Sequence, residues 1–130
     1  MDQMNTKQGV NTTMQDFRKL VVWQKAHRLT LDTYRATTSF PKEEAYGLTS
    51  QVRRASSSIP ANIAEGCCRS SDGEFRRFLY YATGSASELE YHLLLARDLD
   101  FLDQQNYTLL NDQLSEIKRI LITFIKKLKA

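Results

Sequence analysis

Residues 56–66 read SSSIPANIAEG. The flanking sequence has the spacing of a helix, yet this stretch holds a proline, an asparagine and three consecutive serines. Inside a regular helix a proline removes one hydrogen bond and clashes with the turn before it, at a cost of ~3 kcal/mol. Pro60 either opens a new helix, with Ser58 or Ile59 near its cap, or sits in one kinked helix. The kinked helix is favoured, because Ala55, Ile59 and Ile63 keep one phase across Pro60 and a break would reset that phase. The carbonyl that Pro60 leaves unpaired is that of Ser56, and nearby serine hydroxyls or water are its expected donors. Opposite the apolar stripe, Ser57, Ala61 and Ala64 are spaced i, i+4, i+7 and are small enough to let another backbone approach. Asn62 lies at the stripe's edge and is expected to be partly buried and hydrogen-bonded. Gln51, Arg54, Ser58, Asn62 and Glu65 line up as one polar stripe, and Gly66 is the expected C-cap.

Working outward, this helix begins near Pro41, with Glu43 and Glu44 in a first turn that suits carboxylates. Its apolar stripe is Leu48, Val52, Ala55, Ile59 and Ile63. An earlier helix runs from about Phe17 to Thr38. There Leu20, Trp23, His27, Leu31 and Tyr34 share a main stripe, and Val22, Ala26, Leu29 and Thr33 form a weaker one on the far side. Phe40-Pro41 ends it, because a residue before proline avoids the α region. A third helix opens at the capping box Ser71-Asp72-Gly73-Glu74. Its stripe of Phe75, Phe78, Leu79, Ala82, Ala86, Leu89, Leu93 and Ala96 fits a 3.6-residue period best in the chain. A fourth starts at the N-cap Asp103, with Leu102 and Tyr107 spaced as a hydrophobic staple. It continues through Tyr107, Leu110, Leu114, Ile117, Leu121, Phe124 and Leu128 and ends in lysines, which suit a helix C-terminus.

Four amphipathic helices with short turns, no convincing period-2 alternation and no internal repeat predict an all-α, up-down-up-down four-helix bundle. The chain has 130 residues, enough for one domain. Residues 1–15 are expected as a polar tail and 16–130 as the bundle. With five glycines and two prolines, a turn-rich β-sandwich is disfavoured. No apolar run approaches the roughly 18 residues of a membrane span, and residues 1–15 lack the apolar core of a secretory signal. A soluble, cytoplasmic protein without a membrane partner is expected. Cys67 and Cys68 are adjacent, a poor arrangement for a structural disulfide, and are expected as two reduced thiols in a turn.

Catalytic constellations are sparse. There is no glycine-rich phosphate loop and no H-E-x-x-H. His27, on a stripe with Trp23, reads as a packed, hydrogen-bonded side chain, and His92 falls on another helix. Glu88 and Glu90 with Arg97 do not form an acid–base cluster, because residues two apart on a helix face different ways. Glu65 reads as a structural ion pair with Arg69 at a turn. No catalytic residue, metal or cofactor is expected.

Two features point to binding instead. Behind its core stripe the third helix carries Tyr80, Gly84, Ser87, Tyr91 and Leu95, a second semi-apolar face. Burial on both sides implies self-association, with the second and third helices supplying contacts through Ser57, Ala61, Ala64, Tyr80, Gly84, Tyr91 and Leu95. The basic residues gather in patches. Arg53, Arg54, Arg69, Arg76 and Arg77 flank one helical hairpin, Lys118, Arg119, Lys126 and Lys127 crowd the end of the fourth helix, and Lys25, Arg28 and Arg35 share a face of the first. A net charge of +3 permits a nucleic-acid partner without demanding one. The sequence leaves two readings open. One is a non-catalytic homo-oligomer whose repeated basic patches bind RNA or DNA backbone. The alternative is a protein-interaction or structural module that docks a partner protein without nucleic acid.

A resemblance adds to these readings. Trp23, Ala26, Tyr34, Phe40-Pro41, Glu44, Tyr46-Gly47-Leu48, Gln51, Arg53-Arg54-Ala55 and residues 58–66 (SIPANIAEG) occur in the order of one family. Phe75, Phe78-Leu79, Ala82, Gly84-Ser85 and Glu88-Leu89-Glu90 follow downstream. The chain resembles the four-helix-bundle proteins also called 23S ribosomal RNA intervening-sequence proteins, over roughly Phe17 to Leu128. It is also similar to the accessory protein of diversity-generating retroelements, which works with nucleic acid. The resemblance implies a left-handed up-down bundle, a ring-like homopentamer, an association with nucleic acid and no established catalytic activity. Pro60, Asn62, Glu65 and Gly66 belong to its specific motif.

Overall fold

The computed structural model describes residues 15–128, so the expected tail, apart from Gln15, lies outside the described residues. After a 3-10 turn at Phe17–Lys19 come four helices, α1 (Val21–Thr37), α2 (Leu48–Gly66), α3 (Asp72–Asp98) and α4 (Gln104–Lys127). No strand occurs among the described residues. Each helix packs on its sequence neighbours, and α1 closes onto α4. Contacts such as Arg53 to Tyr34, Gly66 beside Phe75, and Lys118 to Glu90 run antiparallel. The expected up-down four-helix bundle is the architecture.

α2 runs unbroken through Pro60. The Ser56 carbonyl, denied the proline's missing N–H, is met from another helix: the Thr30 hydroxyl of α1 donates to it at 2.9 Å, sharing its proton with Ala26 O at 3.0 Å. The nearby serines do other work. Ser56 and Ser58 hydroxyls donate to the carbonyls of Arg53 and Arg54 at 2.9 and 2.8 Å. Asn62 is half-buried and its Nδ2 donates to Ser58 O at 2.8 Å. The freed carbonyl is thus satisfied by α1 rather than by the serines of α2 itself.

Local signals set the other ends. The Ser71 hydroxyl accepts from Glu74 N at 3.1 Å, and Asp103 accepts from Asn106 N at 2.7 Å, so both expected N-caps form. α3 ends in a Schellman motif, with Asp100 N donating to Arg97 O and Phe101 N to Ala96 O, both at 2.9 Å. Asp100 takes the left-handed conformation this requires, at φ 64°.

The core is the inner surface of all four helices. Every residue of the expected α3 stripe is buried, as are Leu110, Leu114, Ile117, Leu121 and Leu128 of α4. Ile125, absent from the expected stripe, is buried, and Phe124 is only partly so. α1 differs in kind. The weaker stripe of Val22, Ala26, Leu29 and Thr33 is the buried one, whereas Leu31 and Tyr34 of the supposed main stripe are exposed. The two stripes have the same period, and residue size favoured the wrong one. The Thr30 bond to Ser56 fixes which side of α1 faces α2, and the stripe turned inward is Val22, Ala26, Leu29 and Thr33.

Three boundaries also differ from expectation. α1 starts at Val21, since Leu20 is extended. α2 starts at Leu48 rather than near Pro41, where a 3-10 turn, Lys42–Glu44, intervenes. Glu44 therefore caps α2 from outside it, its Oε1 accepting from Leu48 N at 3.0 Å. Gly66 is no left-handed C-cap but the last helical residue, with Cys67 following in a right-handed conformation. Its lack of a side chain serves packing: a Cβ there would lie 2.8 Å from Phe75 Cδ1 and 3.0 Å from Phe78 Cβ. Gly66→Ala gains helix propensity of ~1 kcal/mol but overpacks a buried contact at ~1–3 kcal/mol. The expected outcome is a net loss of about 1 kcal/mol in urea unfolding; a stabilised variant would show that Phe75 yields.

Candidate functional site

The five arginines flanking the α2–α3 hairpin do not form an open cationic patch. Arg54 on α2 pairs with Glu88 on α3 and also holds Gln51 Oε1 at 2.8 Å. Arg69 pairs with Glu65 at 2.8 Å and lies over the Phe78 ring. Arg77 pairs with Glu74 at 3.1 Å. Arg53 and Arg76 face no carboxylate but are engaged. Arg53 Nε donates to Thr37 Oγ1 at 2.8 Å, with its guanidinium over Tyr34. Arg76 Nε donates to Ile125 O at 3.3 Å, beside the Tyr80 ring. Exposed pairs of this kind contribute little to stability. Their consequence is electrostatic, since each cancels a charge that a phosphate would otherwise meet.

The α1 cations are neutralised in the same way. Lys25 pairs with Glu116 at 3.2 Å, and Arg28 and Arg35 share Asp32 at 3.4 and 3.2 Å. On α4, Lys118 pairs with Glu90 at 2.8 Å. Arg119, Lys126 and Lys127 are exposed and make no ion pair with a described residue. Lys19, Lys42, Arg53 and Arg76 likewise face no carboxylate among the described residues; Lys126 and Lys127 close α4, where cations suit the helix dipole.

The expected association residues fall on two sides of the bundle. On α2, Ala61 is exposed while Ser57 and Ala64 are half-buried. On the outward stripe of α1, Trp23 stacks on His27 with ring centres 4.9 Å apart, and Leu31 and Tyr34 are exposed. His27 is thus exposed, not packed in the core, and its ring contact is with Trp23. On the other side, Tyr80 and Gly84 line a groove of about 380 Å³ between α3 and α4, with Thr83, Ser87, Ile122 and Ile125. Tyr80 is 51% and Ile122 48% exposed, and a Cβ added at Gly84 would meet nothing within 4 Å. Tyr91 is also exposed, whereas Leu95 is half-buried against the core. The exposed parts of the α1 stripe and Ile122 were missed in the sequence. The signal was present: α1 carried two apolar stripes, and one had to face outward.

Among the described residues, Glu88, Glu90 and Arg97 of α3 are engaged in ion pairs. His92 Nε2 lies 3.3 Å from Glu88 Oε2, which Arg54 already engages. Glu88 and Glu90 serve different partners, and Arg97 pairs with Asp98 at 3.1 Å while covering Tyr107. Among the described residues no group of three metal-ligating side chains converges. Cys67 and Cys68 are both free thiols in the turn after α2. Cys67 is buried, which pushes its thiol up to about 12, and the Cys68 sulfur beside it adds to the shift. No described helix is long and apolar enough to cross a membrane.

The comparisons place this chain. The family model of the 23S rRNA-intervening sequence proteins matches residues 18–123, and the chain belongs to that family. A solved structure of a protein of unknown function from the S23 ribosomal protein family of Bacteroides thetaiotaomicron is similar, at 27% identity and a TM-score of 0.74. The match covers 82% of this chain and 100% of that one. No curated protein matches.

The two thiols should react differently. With iodoacetamide at neutral pH, the folded chain is expected to take one adduct, at Cys68, and two after denaturation. The sign of the pH effect follows. Folded Cys67 keeps its proton to about 12 while the unfolded thiol ionises from 9.0, so its contribution to stability is complete below 9.0 and lost as pH rises toward 12. Rapid double labelling of the native protein would contradict the burial of Cys67.

Proposed function

We propose that this member of the family is a non-catalytic, self-associating bundle that works as a docking module rather than as an enzyme. The observation that carries the reading is a pair of unlike faces left open on one subunit. One combines the small residues Ser57, Ala61 and Ala64 of α2 with the outward Leu31 and Tyr34 of α1. The other is the α3–α4 groove floored by Gly84 and flanked by Tyr80 and Ile122. A face of small residues accepts close approach, and a groove with tyrosine at its edge supplies the aromatic anchors typical of interface centres. Because the two faces differ and lie on different helix pairs, their contact is head-to-tail, and a head-to-tail contact that closes gives a ring. Five subunits is the closed number proposed, in keeping with the family resemblance.

The pairing of the hairpin arginines favours protein contact over nucleic-acid contact as the main activity. Phosphate binding draws its affinity from counterion release by free cations. Arg54, Arg69 and Arg77 already hold carboxylates on their own surface. Repetition in a ring multiplies a patch but does not remove its internal neutralisation.

Light scattering on the purified chain tests the proposal. The expected mass is a multiple of 15.0 kDa across the micromolar range. Ala61→Arg and Gly84→Arg, one on each face, should each lower the mass toward the monomer with helical circular dichroism unchanged. A monomer at every concentration, or an assembly indifferent to both substitutions, would overturn it.

A further inference from the structure

A third surface lies on neither of those faces. Between the start of α1 and the end of α4 runs an open groove of about 430 Å³. Its apolar lining includes Val21, Ile120 and Phe124, with Thr123 among them, and Arg119 and Lys127 stand at its edge. Val21 is 58% exposed, an unusual place for a valine at the first turn of a helix that has a full core stripe elsewhere. Phe124 packs edge-on against buried Phe75, so the floor is anchored in the core and does not collapse to hide itself.

Both cations at this groove are without a carboxylate partner among the described residues. Lys25, Arg28, Arg35, Arg54, Arg69, Arg77, Arg97 and Lys118 each have a carboxylate within ion-pair distance. Arg119 and Lys127 have none among the described residues; Lys19, Lys42, Arg53 and Arg76 have none either but do not line this groove, and Lys126 lines the α3–α4 groove instead. Two unneutralised cations beside an apolar floor complement a ligand with acidic groups flanking apolar ones.

The shape narrows the class. The groove is open along its length and bounded by two antiparallel helices, so it cannot bury most of a small molecule in the way a closed pocket does. It does match the way an amphipathic helix lies in a hydrophobic groove, with anchors at i and i+3 or i+4. A phosphate backbone would use the cations but leave Val21, Ile120 and Phe124 uncovered. We infer that the α1–α4 groove docks an acidic amphipathic helix of a partner protein, its apolar anchors on Val21, Ile120 and Phe124 and its carboxylates at Arg119 and Lys127. The site is separate from the faces assigned to self-association, so the two are tested apart.

The test is panning of a displayed library of helical peptides with randomised flanking positions against the full chain, followed by binding titrations of the recovered peptides. A single-stranded DNA oligonucleotide serves as the competing polyanion. The expected result is enrichment of Asp and Glu beside paired Leu or Phe anchors. Affinity should fall about tenfold in Arg119→Glu combined with Lys127→Glu, and by a similar factor in Val21→Asp, a change on an exposed side chain that leaves the core intact. The oligonucleotide should neither displace the peptide efficiently nor respond to Val21→Asp. Failure to enrich acidic peptides, peptides that bind Val21→Asp undiminished, or an oligonucleotide that binds the groove in place of the peptide would each overturn the inference. Ala61→Arg and Gly84→Arg should leave peptide binding unchanged even where they dissociate the assembly.

Discussion

The Thr30 hydroxyl on the Ser56 carbonyl is the contact on which the arrangement of this bundle turns. Pro60 removes the donor that a regular helix would supply, and a buried carbonyl left without a partner is costly. α1 supplies the missing proton from the side, across 2.9 Å. That contact requires α1 and α2 to lie close and in one register. The stripe that this register turns inward is Val22, Ala26, Leu29 and Thr33, all of them buried. The bulky Leu31 and Tyr34 are thereby turned outward. An apparent defect in one helix thus fixes the rotation of its neighbour and decides which residues the bundle shows to the outside.

The same logic explains what the sequence revealed. α3 and α4 were legible almost residue by residue, because each has a single apolar stripe, and the caps Ser71 and Asp103 act within a few residues of themselves. The continuity of α2 through Pro60 was legible from phase alone. The face of α1 was not, since two stripes of equal period competed and only the contact with α2 decides between them. Gly66 looked like a helix terminator by residue type, while its real constraint is the proximity of Phe75 and Phe78, which no local pattern encodes. The basic patches illustrate the same limit. The arginines were visible, but the partnership of Arg54 with Glu88, thirty-four residues away, is a product of the fold.

Charge and apolar surface together give the bundle an uneven exterior. Ion pairs quiet most of it, at little gain in stability but with a marked loss of net field. Against that background three open surfaces stand out: the α1–α2 seam, the α3–α4 groove and the α1–α4 groove. None carries the converging nucleophile, base and oxyanion donors of an active site. Their common features are exposed apolar side chains and few charges.

The most direct test of the account is a double-mutant cycle between Thr30 and Pro60, with unfolding free energies measured in urea for the parent, Thr30→Val, Pro60→Ala and the double variant. The account predicts that Thr30→Val costs about 1–3 kcal/mol when residue 60 is proline, because the Ser56 carbonyl is then orphaned. It predicts a smaller cost when residue 60 is alanine, whose own N–H can reach that carbonyl, and hence a coupling of about 1 kcal/mol or more. Equal costs of Thr30→Val in both backgrounds would contradict it, and would mean that the α1 hydroxyl does not hold the proline helix in place.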